Sequence, residues 1–165
     1  MGAMISAKMN AKLNQQITTE FSASHEYLAM ACAFEEMGLK ALSQFFHGQS
    51  SEERAHGTKL LKYILEVGGN VALDVIPKPS ADTSSAKTIL LAALAAEIRV
   101  TELVNNLVAL AEDEKDYATR SFLQWYVDEQ VEEVSTMRDL VQFEEMSKDL
   151  FHLETRVRHQ MQANA

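Results

Sequence analysis

Apolar residues recur three and four positions apart over four long stretches of the chain, and each stretch carries an acid near its middle. From about Ile5 to Met37 the positions Leu13, Ile17, Tyr27, Leu28, Ala31 and Phe34 predict an amphipathic helix with no proline to interrupt it and Gly38 as its stop. A second helix is predicted from about Lys40 to Val67, with Leu42, Phe45, Phe46, Leu60, Leu61 and Ile64 facing inward and Gly68-Gly69 closing it. So short a connection makes the first two helices an antiparallel neighbouring pair.

Both prolines fall in "GGNVALDVIPKPSADTSS", a linker of about 16 residues, after which Ser84 or Ser85 offers an N-cap for a third helix ending near Glu112. Extended at ~3.3 Å per residue the linker reaches ~50 Å, against ~40 Å for a helix of some 27 residues. It can therefore run the length of a bundle and start the third helix parallel to the second, a four-helix bundle with a single long crossover. "DEKDY" turns the chain into a fourth helix, about Tyr117 to Met146, with Phe122, Tyr126, Met137, Leu140 and Val141 inward. A short fifth follows over 148–162, with Leu150, Phe151, Leu153, Val157 and Met161 as its apolar positions; it is too short to be stable alone. The expected fold class is all-α: a four-helix bundle with one long crossover plus a short C-terminal helix, in a single domain of 165 residues.

The acids lie inside the apolar rows. The first helix reads Leu13, Ile17, Glu20, Tyr27, Phe34; the second reads Phe45, Gln49, Glu53, His56, Leu60, Ile64. The third reads Leu90, Leu94, Glu97, Val104, Val108, and the fourth Tyr126, Gln130, Glu133, Met137, Leu140. Any one of these, taken alone, is most simply a glutamate reaching out to water or a hydrogen-bonded histidine. Together, four carboxylates and an imidazole at one level of a core would be destabilised by desolvation and mutual repulsion unless positive charge sat among them. A pair of metal ions is the economical answer. Carboxylates with one imidazole suit Fe(II) or Mn(II), whereas structural zinc prefers thiolates, and Glu-x-x-His delivers a bridging and a terminal ligand from one helical turn. Iron is the leading candidate.

Charge and composition agree. The net charge of -9, with 24 acids against 15 bases, leaves no footprint for nucleic acid and suits cations. No apolar run approaches the ~18 residues of a membrane helix. A lone cysteine, Cys32, and an opening "MGAMISAKMN" without a secretory apolar stretch make the cytoplasm the expected compartment. Residues 1–3 are set aside as a cloning remnant. Cys32 reads as a small buried residue near the end of the first helix, and Met30, Met37 and Met137 as core packing.

With these motifs in place, the chain resembles the non-haem ferritins of bacteria, from "LNQQITTEFSASHEYLAM" through "SSEERAH", "AAEIRVTELV" and "FLQWYVDEQVEEV" to the short fifth helix. The resemblance implies a first iron site of Glu20, Glu53 and His56, and a second of Glu53, Glu97 and Glu133, with the Gln130 amide nearby. It implies that Tyr27 hydrogen-bonds beside the centre and supplies an electron, and that Glu52, Glu129 and Glu132 match a third iron site found in some bacterial members. It further implies a hollow homo-oligomer of 24 subunits whose diiron centres oxidise Fe(II) with dioxygen or hydrogen peroxide and store Fe(III) as a mineral.

Departures narrow the field. Haem-binding bacterioferritins repeat Glu-x-x-His on the fourth helix, where this chain has Gln130-Val131-Glu132-Glu133, and carry a haem-ligating methionine where this chain has Arg54. No haem is therefore expected. Mini-ferritins of starved cells lack the fifth helix. A haem-carrying or rubrerythrin-like redox protein and a non-catalytic iron store, as in animal light chains whose centre has decayed, are the competing readings; the first needs methionine or cysteine motifs that are missing here, and the full set of five ligands disfavours the second.

Overall fold

The structure, a computed structural model, describes residues 4–163; residues 1–3, set aside above, lie outside the described residues. Five helices follow in order: α1 (Ala7–Glu36), α2 (Lys40–Glu66), α3 (Ala86–Asp113), α4 (Tyr117–Met146) and α5 (Leu150–Ala163). The bundle is all-α with the long crossover at residues 67–85. Among the described residues no helix is long and apolar enough to cross a membrane.

The helix ends follow local chemistry. Ser6 caps α1 by accepting from Met9 N, and Ser85, rather than Ser84, caps α3 in a reciprocal box with Thr88. Gly38 and Gly68 hold φ of 79° and 77°, the left-handed region that costs a glycine nothing. In each case the next residue's N–H reaches back to the carbonyl five residues earlier, Leu39 to Phe34 and Gly69 to Ile64. The turn from α3 to α4 has the same hydrogen bonds, Lys115 N to Glu112 and Asp116 N to Ala111, but with Lys115 at φ 55°.

The crossover is pinned to α1 along its way. Asn10 and Asn14 exchange hydrogen bonds with Asn70 and Ala72, and Glu26 accepts from Ser80 N at 2.7 Å. Residues 10, 14 and 26 of α1 meet residues 70, 72 and 80 in that order, so the crossover travels in the direction of α1. It therefore delivers α3 at the far end, parallel to α2, and the Ser6 hydroxyl meets Glu114 at the end of α3. Helix α1 packs mainly on α2, and α3 mainly on α4.

The apolar core has two halves. One gathers Phe34, Leu42, Phe46, Leu90, Met137 and Leu153; the other gathers Leu13, Ile17, Leu60, Val104, Leu123 and Tyr126. On every long helix the row passes from one half to the other through the polar residues singled out in the sequence, so a polar band separates two hydrophobic clusters.

Three expectations need correcting. Cys32 is exposed, because it follows Ala31 by one residue and so turns about 100° away from the buried stripe. Leu28 turns outward for the same reason, one step past Tyr27. On α5 only Leu153 and Val157 are buried among the apolar positions, with Met161 partly so; Phe151 is 81% exposed and Leu150 48%. A single turn cannot bury residues at 150, 151 and 153 against one surface.

Candidate metal centre

The acidic positions read from the apolar rows converge. Glu20, Glu53, His56, Glu97, Gln130 and Glu133 are all buried, between 1% and 6% exposed. Ligand atoms of Glu20, Glu53 and His56 lie within 4.8 Å of one another, as do those of His56, Glu129 and Glu133. His56 thus stands between two groups: its Nδ1 is 3.6 Å from Glu53 Oε2 and its Nε2 3.8 Å from Glu129 Oε1.

Helical spacing explains the first group. Glu53 and His56 are one turn apart on α2, and Gly57 lets α1 approach there: a Cβ at Gly57 would lie 2.5 Å from the Phe21 ring and 3.3 Å from Glu20 Cβ. The residue after the imidazole is therefore what brings Glu20 within reach of it.

Amides and hydroxyls hold the carboxylates. Gln16 Nε2 donates to Glu20 Oε1 at 2.8 Å, and Gln49 Nε2 to Glu133 Oε2 at 2.8 Å. Glu97 receives the Tyr27 hydroxyl on one oxygen and Gln130 Nε2 on the other at 3.1 Å. Glu97 accordingly joins neither cluster, its carboxylate being held by Tyr27 and Gln130. Tyr126 donates to the His56 carbonyl at 2.7 Å and ties α4 to α2 at this level. Trp125 sets its ring edge-on to His56 at 5.2 Å.

Burial governs the electrostatics. Desolvation raises Glu20 well above its ordinary range, with repulsion from Glu53 adding to it. Glu53 is pushed up to about 8 by burial, with Glu97 and Glu133 contributing, and Glu133 to about 7 by burial and then Glu97. Tyr27 is also raised, by burial and the neighbouring Glu97. Among the described residues, Glu53 Oε1 is a buried side-chain oxygen without a hydrogen-bond partner. An orphaned carboxylate oxygen among further carboxylates and an imidazole fits a divalent cation, which would supply that partner and the missing positive charge.

The outer acids differ. Glu129 is partly buried beside His56, whereas Glu52 and Glu132 are exposed. Glu52 is raised by partial burial, and Glu129 lies near enough to add to the shift. Sequence reading missed Gln16 and left Gln49 as a row member without a role. The signal for Gln16 was its place four residues before Glu20, one helical turn away on the same face, whereas Gln49 donates across to Glu133 on α4, a contact that spacing along α2 does not show.

Fold and site together define a four-helix bundle with a carboxylate-histidine centre enclosed within one chain. The ferritin-like domain model matches residues 10–147. The chain is 40% identical over 140 residues to a bacterial non-heme ferritin of Staphylococcus epidermidis, covering 85% of this chain and 84% of that one. It is 35% identical to the ferritin BfrB of Mycolicibacterium smegmatis, covering 96% and 88%. Among solved structures, an open-pore ferritin from Archaeoglobus fulgidus superposes with a TM-score of 0.89 at 36% identity, covering 94% and 98% of the two chains. The chain belongs to the ferritin family, on the side of the bacterial non-haem ferritins.

Proposed function

We propose that this ferritin binds two Fe(II) per subunit at Glu20, Glu53, His56, Glu97 and Glu133, oxidises them, and passes Fe(III) to a mineral inside a homo-oligomeric shell of 24 subunits. The observation that carries this is Glu53, a buried carboxylate with one partnerless oxygen beside Glu20 and His56, which we assign as the bridge between both ions. Iron is the substrate. Two Fe(II) release two electrons, which dioxygen takes with two protons to leave as hydrogen peroxide, or which hydrogen peroxide takes with two protons to leave as water.

The protein's part is to hold and to move charge. Gln16 and Gln49 orient Glu20 and Glu133, and carboxylate donors favour Fe(III) over Fe(II). Tyr27 is proposed as an electron donor: its hydroxyl proton already points to Glu97, so an electron leaving the ring can go with proton transfer to that carboxylate. A third iron site at Glu52, Glu129 and Glu132, on the face of α2 and α4, is proposed as a transit point toward the mineral. The proximity of Glu129 to His56 and of Glu52 to Glu129 supports it. The centre is read as free of haem, since Arg54 occupies the position of the haem-ligating methionine, and the protein as cytoplasmic with no nucleic-acid partner.

Stopped-flow absorbance tests the assignment. Glu53→Ala combined with His56→Ala is expected to abolish rapid Fe(II) oxidation while the assembly stays intact by light scattering. Unchanged oxidation kinetics in that variant would remove the site. A crystal soaked anaerobically in Fe(II) then shows whether Glu97 turns to metal and whether a third ion lies at Glu129.

A further inference from the structure

Between α1 and α3 lies a cavity of about 340 Å³, on the face of the bundle opposite α2 and α4. The two helices touch sparsely compared with either pair, α1 with α2 or α3 with α4, and leave this room. Buried Tyr27, Met30 and Val100 form its floor, and exposed Ala95, Arg99 and Leu103 its mouth. The crossover makes one side through Ser80 and Ala81, both held by the Glu26 carboxylate at 2.7 and 3.3 Å.

This cavity is level with the metal centre. Thr19 and Ala23 flank Glu20 on α1, and Ala96 and Val100 flank Glu97 on α3, and all four line it. Its floor includes Tyr27, whose hydroxyl is bonded to Glu97 on the inner side. The two faces of the centre contrast in polarity. On the α2 and α4 face stand Glu52, Glu129 and His56, groups that suit a hydrated cation. The α1 and α3 face carries Thr19, Ser22, Arg99 and the Glu26–Ser80 bond, but eight of its fourteen lining residues are alanine, methionine, valine or leucine, and against these Fe(II) would lose hydration and hydrogen peroxide would lose hydrogen bonds. Dioxygen, being apolar, loses neither.

We propose that this cavity admits and holds dioxygen for the reaction at the centre, so that oxidant arrives from the α1 and α3 face while Fe(II) uses the carboxylate face. It rests on the ferroxidase function proposed above and names the oxidant that this side of the centre serves. Xenon enters apolar cavities of ~150 Å³, which makes it a direct probe of the apolar floor of this open cavity.

Crystals of the wild-type protein under xenon pressure are expected to show xenon against Tyr27 and Val100. In solution, Ala96→Leu and Ala92→Leu narrow the cavity without altering a proposed ligand. Each is expected to raise the dioxygen concentration for half-maximal Fe(II) oxidation severalfold, to leave anaerobic oxidation by hydrogen peroxide unchanged, and to leave anaerobic Co(II) titration of the centre unchanged. Xenon absent from the cavity, an unaltered dioxygen dependence in both variants, or equal slowing with both oxidants would overturn the proposal. Wild-type protein that oxidises Fe(II) with neither oxidant would overturn the ferroxidase function and the dioxygen role with it, and the xenon result separates that failure from the lack of an apolar site.

Discussion

The Tyr27 hydroxyl on α1 donates to a carboxylate oxygen of Glu97 on α3, and both side chains are only 1% exposed. This bond crosses a helix pair that packs far more sparsely than α1 on α2 or α3 on α4, and it fixes the one glutamate of the five proposed ligands that stands outside both clusters. Tyr27→Phe keeps the ring and its edge contact with Phe46, whose centroid is 5.6 Å away, but leaves that oxygen without its donor. A stability loss of about 1–2 kcal/mol is expected from the lost buried hydrogen bond. Fe(II) oxidation is expected to slow severalfold with Co(II) affinity nearly kept, measured by thermal unfolding, stopped flow and anaerobic titration. Unchanged oxidation would confine Tyr27 to a structural role.

The buried carboxylates set the pH response. Glu53 rises from 4.5 to about 8 and Glu133 to about 7, chiefly through burial, so the folded metal-free protein holds protons that the unfolded chain has released. A raised folded pKa gives stability that is complete below about 4.5 and is lost as pH climbs through 7 and 8. The metal-free protein is therefore expected to lose stability between those limits, and Glu53→Gln to flatten the decline while weakening metal binding. A divalent cation must displace the same protons, so anaerobic Fe(II) or Co(II) affinity is expected to rise across this range with proton release, seen by calorimetry in buffers of different ionisation enthalpy. Affinity independent of pH between 6 and 8 would contradict protonated ligands.

Two glycines on α2 separate close approach from mere helix weakness. A methyl at Gly57 meets the Phe21 ring and Glu20 Cβ, whereas one at Gly48 meets nothing within 4 Å. Alanine is better than glycine in a helix by about 0.8–1.0 kcal/mol, and Gly48→Ala is expected to gain up to that amount. Gly57→Ala gains the same propensity but must push Phe21 aside, a change that costs about 1–3 kcal/mol in a packed interior. It is expected to be net destabilising and to lower Co(II) affinity by moving Glu20 away from His56. Equal stabilisation by both changes would mean that Gly57 does not set the separation of α1 and α2.

The helices and their polar band were legible because both rest on one period. Rows at three- and four-residue spacing placed Glu20, Glu53, His56, Glu97, Gln130 and Glu133 on inward faces, and all six are buried. What the period does not carry is the direction in which a side chain is pulled by a neighbour from another helix. Glu97 bends to Tyr27 and Gln130, and Glu129 sits by His56 and Glu133 rather than apart from them; both depend on contacts between helices distant in sequence. Cys32 and Phe151 failed for a simpler reason, since a residue one step off the stripe keeps its apolar character while losing its burial. The asparagine and glutamate pins on the crossover were invisible as well, because a linker without a period gives no face to read.

Helix α2 begins without a cap of its own: Leu39 offers no side-chain acceptor for the first N–H groups. Glu154 of α5 supplies it from more than a hundred residues away, accepting from Ala41 N and from Leu42 N at 3.2 Å while only 6% exposed. A carboxylate suits the positive end of the α2 dipole, and Arg158, one turn on at 3.6 Å, adds a weak exposed ion pair. Leu153 and Val157 are the only other buried anchors of a helix of 14 residues, so Glu154 carries much of its docking. Glu154→Ala is expected to cost about 1–3 kcal/mol, leaving two buried N–H groups unmet and α5 loosely attached. Glu154→Gln keeps one acceptor and should lose less. Hydrogen exchange read by mass spectrometry is expected to quicken over 150–163 and over the first turn of α2 together, with the Tyr27 and Glu97 level unaffected. Faster exchange in α5 alone, with the start of α2 still protected, would show that the cap lies elsewhere.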